Sequence, residues 1–205
     1  MLDNKGFDLW SDDYDKSVGL SDYDNTYPFA GYKEILNKIY NEVLALSSKK
    51  VLDIGFGTGN LTTKLYEKGI EIYGQDFSQE MLNHALAKMP KANLYLKDIS
   101  EGLDESLKEN KYDAIIATYS LHHLEDKEKI LFIKSLIPLL ADGGKIFIGD
   151  VAFKTSEELE SCKEQAGKYW DNDEIYFVYD EIRDYLPNST FKPISHCAGI
   201  IIINN

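Results

Sequence analysis

The chain has 205 residues, 43% of them hydrophobic and 12% aromatic, so it is long enough for one well-buried domain and short for two. Its 22 basic and 35 acidic residues give a formal net charge of −13, which leaves no general basic surface for nucleic-acid phosphates. We therefore expect a single domain over residues 1–205 that binds neither DNA nor RNA.

Export, membrane and metal-binding patterns are missing from the sequence. Met1 to Lys5 lacks the charged and then apolar pattern of a signal peptide, and the apolar run Ala198 to Ile203 is far too short to span a bilayer. The only cysteines, Cys162 and Cys197, have no CxxC pair or histidine spacing around them. We expect a cytoplasmic protein without membrane contacts, and two reduced structural thiols in preference to a disulfide or a metal site.

Residues 1–32 are rich in aspartate, tyrosine, serine and asparagine, yet they carry too many aromatic and apolar groups to remain in water. We expect this arm to cap a pocket; a solvated arm is the alternative. From Tyr32 to Leu46, apolar residues recur at helical spacing, which predicts an amphipathic helix beside a sheet. Residues 1–47 are thus predicted to form an arm and a helix over a binding site.

Val51 to Asn60 reads Val-Leu-Asp-Ile-Gly-Phe-Gly-Thr-Gly-Asn, which predicts a buried parallel strand followed by a turn with glycine at every second position. Without Cβ atoms on the turn, a ligand is able to lie against the backbone. The predicted helix that follows, Asn60 to Lys68, presents free N–H groups at its N-terminus. The stretch therefore indicates a site for a carboxylate or a phosphate, with an ordinary glycine turn as the alternative.

The spacing of the glycines separates the possible cofactors. The dinucleotide fingerprint places its third glycine three residues after the second, whereas Gly59 follows Gly57 by two, which disfavours an NAD(P)-dependent oxidoreductase. With Asp53 two positions before Gly55, the stretch resembles motif I of the class I S-adenosylmethionine (SAM) dependent methyltransferases. The resemblance implies that Asp53 ends the first strand and that the turn wraps the methionine part of SAM, through Gly55, Phe56, Gly57, Thr58 and Gly59.

A second acid lies at the end of a second predicted strand, Glu71 to Asp76. Asp76 lies about 20 residues beyond the glycine turn, where a Rossmann-type fold places its ribose acid. A carboxylate there accepts two hydrogen bonds from a ribose diol. A solvated strand-end acid or a helix N-cap is the alternative.

The helix predicted from Phe77 to Pro90 carries Phe77 and Met81, which either border an adenine or belong to the core. A third strand, Ala92 to Lys97, leads to Asp98. In the family, the acid at this place faces the adenine amino group, and the next backbone N–H, here of Ile99, reaches a ring nitrogen. A turn-forming role for Asp98 is the alternative.

Tyr112 to Ala117 predicts a fourth, fully buried strand, and the loop after it reads Thr-Tyr-Ser-Leu-His-His-Leu. Residues just past the carboxyl ends of parallel strands line the ligand crevice, so this loop is expected to face the transferable methyl, with Thr118 on the cofactor side. A histidine acts as a base near neutral pH, and Tyr119 is placed to orient a nucleophile. We expect at most one of His122 and His123 in the pocket; packing against the sheet is the alternative.

Asp126 to Leu140 predicts a helix whose inward face carries Ile130, Ile133, Leu136 and Ile137. Asp142 to Gly144 is its predicted stop and Lys145 to Gly149 a fifth strand, from whose end Asp150 is placed to reach the substrate side. In the family, the insert that follows, here residues 153–190, shapes the acceptor pocket. The helices predicted within it are Glu157 to Trp170 and Tyr179 to Leu186. Its candidate pocket residues, for which packing in the core is the alternative, are Tyr169, Trp170, Tyr176, Phe177 and Tyr179.

Two features at the ends of the chain extend the resemblance. Trp10 to Asp15 matches a W-x-x-x-Y-D arm that closes over the cofactor in many small-molecule members, and Tyr14 is its residue for the sulfonium. Phe191 to His196 and Ala198 to Ile203 are expected to be the last two strands. The chain is most similar to small, largely uncharacterised bacterial members with this arm.

The resemblance implies an α/β fold with a Rossmann-like, seven-stranded, mostly parallel sheet flanked by helices, the last strand antiparallel. It also implies methyl transfer from SAM to an oxygen, nitrogen or sulfur atom of a small-molecule acceptor, by a monomer or homodimer. A SAM-binding sensor or partner subunit without turnover is the alternative function. The glycine turn identifies the cofactor and leaves the acceptor open.

Overall fold

The computed structural model describes residues 25–205, which form one sheet with helices packed on both faces. The strands are β1 (Lys50–Ile54), β2 (Glu71–Asp76), β3 (Asn93–Leu96), β4 (Tyr112–Thr118), β5 (Leu140–Phe153), β6 (Phe177–Val178), β7 (Ser189–Pro193) and β8 (Ala198–Asn204). The helices are α1 (Tyr32–Ala45), α2 (Asn60–Tyr66), α3 (Gln79–Lys88), α4 (Glu105–Lys108), α5 (Asp126–Leu136), α6 (Ser156–Ala166) and α7 (Tyr179–Ile182).

The strand order is β3-β2-β1-β4-β5-β8-β7, and β6 pairs with β5 outside this order. Strands β1 to β5 run parallel, whereas β8 is antiparallel to both of its neighbours. The chain leaves β1 toward β2 on one side and later returns to place β4 on the other, which opens a crevice at the carboxyl ends of β1 and β4. The predicted Rossmann-like sheet is confirmed, with the two-residue β6 as an eighth strand.

The core lies in two layers because alternate residues of the central strands face opposite sides of the sheet. Val51 and Ile116 belong to the layer under α1, α2 and α3, whereas Leu52 and Ile115 belong to the layer under α4 and α5. All four side chains are fully buried. Burial on both faces is why successive residues of these strands are apolar, Val51 and Leu52 in β1 and Ala114 to Ala117 in β4.

The predicted end of the α5 region and start of β5 were wrong in detail. The helix ends at Leu136, and Pro138 lies in a 3₁₀ turn, because proline has no N–H to continue the α-helical bonds. Strand β5 begins at Leu140, before the predicted stop at Asp142 to Gly144, which instead forms an irregularity in the pairing with β4. Among the described residues, no helix combines the length and apolar character needed to cross a membrane.

The insert, residues 153–190, is less helical than predicted. Helix α6 ends at Ala166 and is followed by a 3₁₀ turn, and α7 is a single turn that ends at Ile182. The irregular segment between them returns toward the sheet, and Ile175 N–H donates to the His122 carbonyl at 2.9 Å. The insert therefore contacts the loop that follows β4.

Candidate active site

A cavity of about 450 Å³ opens at the carboxyl ends of β1, β2, β3 and β4. Its lining comes from the turns that follow these four strands, as the topology requires. Except for Ser78 and Ser120, every lining residue is one that the sequence analysis singled out. The lining residues are Gly55, Gly57, Asp76, Phe77, Ser78, Met81, Asp98, Ile99, Tyr119, Ser120 and His123.

The glycine turn after β1 needs glycine for two different reasons. At Gly55, with φ +68°, an added Cβ would lie 2.4 Å from the Ser120 Cβ, which no side chain tolerates. At Gly57, with φ +53°, an added Cβ would meet nothing within 4 Å, and the residue lines the cavity. Gly55 thus permits close packing within the protein, whereas Gly57 keeps backbone accessible to a ligand.

Asp76 ends β2 and is only 5% exposed. Its Oδ2 accepts from Gly57 N–H at 2.9 Å and its Oδ1 from Ser78 N–H at 2.8 Å, so both oxygens are held in place. A carboxylate has about four acceptor positions, and these two bonds leave capacity on each oxygen. The fixed carboxylate is therefore able to receive a pair of hydroxyl groups from a ligand in the cavity.

Asp53 lies in β1 and is 2% exposed. Burial raises its pKa to about 7, and the nearby charge of Asp76 adds to the increase. The Oδ1 atom accepts no hydrogen bond from the described residues. A buried carboxylate with spare acceptor capacity fits a cationic or donating ligand group, and the ammonium of a methionine moiety is such a group.

The far end of the cavity combines one acid with apolar side chains. Asp98 follows β3, and its Oδ1 accepts from Ser100 N–H at 2.8 Å, which lowers the pKa of Asp98. Phe77 is 68% exposed although it is a large apolar side chain, and Met81 and Ile99 also line this end. An ionised acceptor between apolar groups suits a flat ring that carries an amino group.

The loop after β4 closes the other side. Tyr119 has φ +52°, a conformation that costs free energy for a residue with a side chain and is frequent at functional sites. Its ring packs against Phe29 and Tyr32, with centroids 5.5 and 5.2 Å away. Ser120 Oγ donates to the Ile54 carbonyl at 2.8 Å and so ties this loop to the glycine turn.

The two adjacent histidines point different ways, as expected from the sequence. His123 is exposed and lines the cavity, whereas His122 is buried behind it, with ring centroids 4.3 Å apart. His122 Nδ1 lies 2.7 Å from Asp150 Oδ1, and Nε2 lies 3.5 Å from Glu174 Oε1. Burial lowers the pKa of His122, but the carboxylates of Asp150 and Glu174 outweigh burial and raise it above its ordinary value. Burial and the neighbouring charge of His122 lower the pKa of His123.

Glu174 and Ser120 were missed by the sequence analysis as partners in this site. Asp150 was expected to reach the substrate side from the end of the predicted fifth strand, but its contact with His122 was not predicted. Glu174 lies in the irregular part of the insert, and no pattern in the sequence relates it to His122. The contact exists only because the insert folds back over the loop after β4.

Aromatic side chains join the insert to the described part of the N-terminal region. Tyr27 stacks on Trp170 with centroids 5.0 Å apart, and Trp170 meets Tyr176 edge to face at 5.0 Å. We call these three residues the aromatic cluster. Tyr176 also donates to Glu174 Oε2 at 2.7 Å, which links the cluster to the carboxylate beside His122.

The other acceptor-pocket candidates of the insert lie elsewhere. Tyr169 is 73% exposed, and Phe177 is 1% exposed in the core. Tyr179 stacks on Phe191 and donates to the Ser189 carbonyl at 2.8 Å. Only Trp170 and Tyr176 of the five candidates therefore belong to the aromatic cluster.

Some predicted cofactor residues, the buried Asp53 among them, do not line the cavity. Phe56 is 5% exposed and packs near Gly74, so only its backbone belongs to the turn. Thr58 donates to Asn60 Oδ1, Gly59 precedes α2 as its N-cap, and Thr118 ends β4. Tyr14 and the W-x-x-x-Y-D arm lie outside the described residues.

Comparisons with known proteins match this architecture. Residues 51–144 match the family model described as methyltransferase domain. An uncharacterised methyltransferase of Geobacillus sp. (strain WCH70) is 36% identical over 160 residues, which cover 78% of this chain and 72% of the relative. The chain belongs to the methyltransferase family.

Solved structures of other methyltransferases have the same fold as this methyltransferase. A magnesium protoporphyrin IX methyltransferase from Synechocystis PCC 6803, with bound S-adenosylhomocysteine (SAH), aligns with a TM-score of 0.70 at 20% identity, over 98% of this chain and 95% of that one. A SAM-dependent methyltransferase from Clostridium acetobutylicum aligns with a TM-score of 0.66 at 16% identity, over 92% and 97% of the two chains. At these identities the likeness establishes the fold.

Proposed function

We propose that this methyltransferase transfers the methyl group of SAM to a small-molecule acceptor. The observation that carries the proposal is the fixed Asp76 carboxylate beside Gly57, at the carboxyl edge of the parallel strands. The Asp76 carboxylate would accept hydrogen bonds from a ribose diol there, and the exposed backbone of the glycine turn would contact the methionine part of SAM. The resemblance of the glycine turn to motif I and the SAM or SAH named with related folds support the same cofactor.

The residues that would hold SAM divide into three groups along the cavity. Asp76 would accept from the ribose hydroxyls. Asp98, the Ile99 N–H, Phe77 and Met81 would hold the adenine. The methionine part would lie against the glycine turn, with Asp53 as the acceptor for its ammonium group.

The acceptor side of the proposed site lies toward the loop after β4. When bound, SAM supplies an already activated methyl on its sulfonium, so this chain's task is to align the acceptor and to exclude water. Tyr119 and His123 line the cavity there. They would be the groups closest to an incoming acceptor. Because its pKa is lowered, His123 is neutral near pH 7 and able to accept a proton from an acceptor that must lose one.

His122 would act behind His123 as a positioning residue. Asp150 and Glu174 hold its ring from both nitrogens, so the face it presents to His123 is fixed. We propose that residues 1–47 cap the cofactor site and that residues 153–190 shape the acceptor pocket. The packing of Tyr27 on Trp170 supports this arrangement because it joins the two regions beside Glu174.

The charge of −13 favours a small-molecule acceptor over nucleic acid. We propose a cytoplasmic enzyme that works as a monomer or homodimer, without a membrane partner.

Methyl transfer tests the proposal directly. Purified protein is incubated with SAM carrying a labelled methyl group and a panel of small metabolites, and products are identified by mass. We expect one class of acceptor to gain the labelled methyl, and His123→Asn to lower its rate more than His84→Asn, an exposed histidine on α3. Tight SAM binding without transfer to any acceptor would contradict the proposal and favour a non-catalytic SAM-binding module.

A further inference from the structure

Three side chains that bind soft metal ions converge away from the proposed active site. The possible ligand atoms of Cys162, His196 and Cys197 all lie within 4.8 Å of one another. Cys162 belongs to α6 of the insert, whereas His196 and Cys197 form the turn between β7 and β8. The sequence does not show this group, because only the fold brings α6 against that turn.

We propose that Cys162, His196 and Cys197 form a binding site for a thiophilic divalent cation of the zinc type. Two thiolates and one imidazole are a ligand set that zinc takes in proteins, with a fourth position left for water or another ligand. His196 is exposed while both cysteines are buried, so the fourth position faces solvent on the histidine side. The site lies outside the proposed methyl-transfer machinery and goes beyond the proposed function.

The distances fit a tetrahedral ion after small movements. With zinc–sulfur bonds of about 2.3 Å and zinc–nitrogen bonds of about 2.0–2.1 Å, neighbouring ligand atoms lie roughly 3.3–3.8 Å apart. The longest separation among the three ligand atoms is below 4.8 Å. Since His196 is exposed, its ring is able to move by that difference without disturbing the core.

Charge favours the same assignment. Cys162 is 3% exposed and Cys197 is fully buried, and a buried thiolate is costly without a cation beside it. A divalent cation with two thiolates and a neutral imidazole makes a site without net charge.

The presence of His196 favours a metal site over a simple pair of thiols. Two buried cysteines in contact are sufficient for a disulfide or for ordinary packing, and neither requires an imidazole beside them. A metal site uses all three groups. Hydrogen bonds also hold Cys197 in place, as expected for a metal ligand. Ser195 Oγ accepts from Cys197 N–H at 3.3 Å and donates to the Ala30 carbonyl at 2.7 Å.

An ion at this place would link parts of the chain that border the proposed acceptor pocket. Cys162 lies on the insert, and the turn with Cys197 contacts Ala30, just before α1. Cys162, Cys197 and Tyr176 of the aromatic cluster share one small core. Binding would therefore fasten the insert to the β7–β8 turn and stabilise the folded chain by mass action.

The test uses the full chain, reduced and stripped with a chelator, and titrated with Co²⁺ and then with Zn²⁺. We expect one Co²⁺ per chain with the absorption of tetrahedral thiolate coordination, its displacement by Zn²⁺, and a higher melting temperature with either ion. Because His196 is exposed, His196→Asn leaves the core packing intact, and we expect it to weaken Co²⁺ binding by at least about tenfold. Cys162→Ser should abolish the thiolate absorption.

Two control variants locate the ion. His84→Asn changes an exposed histidine on α3, and Glu174→Gln changes the second group of possible ligands, His122, His123 and Glu174. Neither should alter the Co²⁺ spectrum or affinity. The proposal is overturned by an absence of thiolate absorption in the wild type, by unchanged affinity in His196→Asn, or by loss of binding in Glu174→Gln. A Cys162–Cys197 disulfide after peroxide treatment, in protein that binds no Co²⁺ when reduced, would also overturn it.

Discussion

At the scale of single residues, Gly55 and Gly57 of the glycine turn are glycine for different reasons. Gly55 is needed for packing against Ser120, and Gly57 for access to the cavity. The sequence shows only that glycine recurs at every second position and cannot separate these roles. Substitution at each position separates them.

Gly57→Ala should lose SAM binding while the protein remains folded. An alanine with positive φ costs about 1–2 kcal/mol, and its methyl group would occupy space next to the ligand. Gly69→Ala is the matched control, because Gly69 also has positive φ, +81°, and open space around it but does not line the cavity. Calorimetry should show weakened SAM binding in the first variant alone, and equal binding in both variants would contradict the assignment.

Gly55→Ala should instead destabilise the fold. Its Cβ would meet the Ser120 Cβ at 2.4 Å, and Ser120 is held by the Ile54 carbonyl. We expect a lower melting temperature than in Gly57→Ala, measured by circular dichroism. A stability equal to that of Gly57→Ala would show that the turn moves freely away from Ser120.

The buried Asp53 predicts a pH dependence of stability in the cofactor-free protein. Its pKa is raised from 3.8 to about 7 on folding, so the folded state retains a proton that the unfolded state loses. The stabilisation is present below about pH 4 and is lost as the pH rises through about 7, at up to about 1.4 kcal/mol per pH unit. Denaturant unfolding at several pH values should show this slope.

Asp53→Asn is the control, because it keeps the shape and removes the titration. The variant should lack the Asp53 part of the slope and be more stable than wild type at pH 8, while it binds SAM less well. If the pH dependence of the free energy of unfolding is the same in both proteins, Asp53 is not the buried acid described above.

At the scale of elements, a buried lysine holds the insert to α5. Lys129 is fully buried, and its Nζ donates to the Ile175 carbonyl and, at 3.0 Å, to Asp126 Oδ1. Its ammonium also lies 4.8 Å from the centroid of the Phe177 ring. Lys129 therefore positions the segment that carries Glu174 and Tyr176.

Lys129→Met should loosen the insert while the rest of the fold persists. The methionine fills the same space, but the Ile175 carbonyl loses its charged donor, at a cost of about 1–3 kcal/mol that is partly offset by removing a buried charge. Hydrogen exchange should become faster at the amide of Ile175, which bonds to the His122 carbonyl. Lys134→Met on the same helix is the control, since Lys134 is exposed, and equal exchange in both variants would contradict this role.

The elements themselves could largely be predicted from the sequence, because their signals are local. The strand Glu71 to Asp76 agrees with β2, and the helix expected from Tyr32 ends one residue from its predicted position. Of the four residues predicted for the inward face of this helix, Ile133 and Leu136 are buried, but Ile130 and Ile137 are only half-buried. Lys129 and Phe132 are buried there instead. A lysine reads as a solvent-facing residue unless its partner, here a carbonyl of the insert, is known.

In the candidate site, too, residues with a local sequence signal could be predicted, whereas contacts between distant parts of the chain could not. Asp53, Asp76 and Asp98 could be singled out because each lies at a strand or its end, a position that the sequence pattern marks. The pairing of His122 with Asp150 and Glu174 could not, because residues far apart in the chain meet only after the sheet and insert have formed. The convergence of His196 and Cys197 on Cys162 escaped prediction for the same reason.

At the scale of the whole molecule, the sheet order explains why one cavity collects residues from four separate turns. Strands β1 to β4 end at the same edge of the sheet. After β1 the chain adds β2 and β3 on one side of it and then β4 on the other, so the connecting helices lie apart and leave the cavity open between them. The insert and the aromatic cluster border this edge on the side of β5. The fold thus gives the proposed cofactor and acceptor ends one common crevice.

The central claim is that the protein binds SAM in this crevice through Asp76. The most direct test is a calorimetric titration of SAM into the wild type, Asp76→Ala and Asp142→Ala. Asp142 is an exposed acid in the irregular start of β5 and serves as the control. We predict one SAM site in the wild type and in Asp142→Ala. In folded Asp76→Ala, loss of two charge-assisted hydrogen bonds should weaken binding by at least about 100-fold. Unchanged SAM affinity in folded Asp76→Ala, or no SAM binding by the wild type, would contradict it.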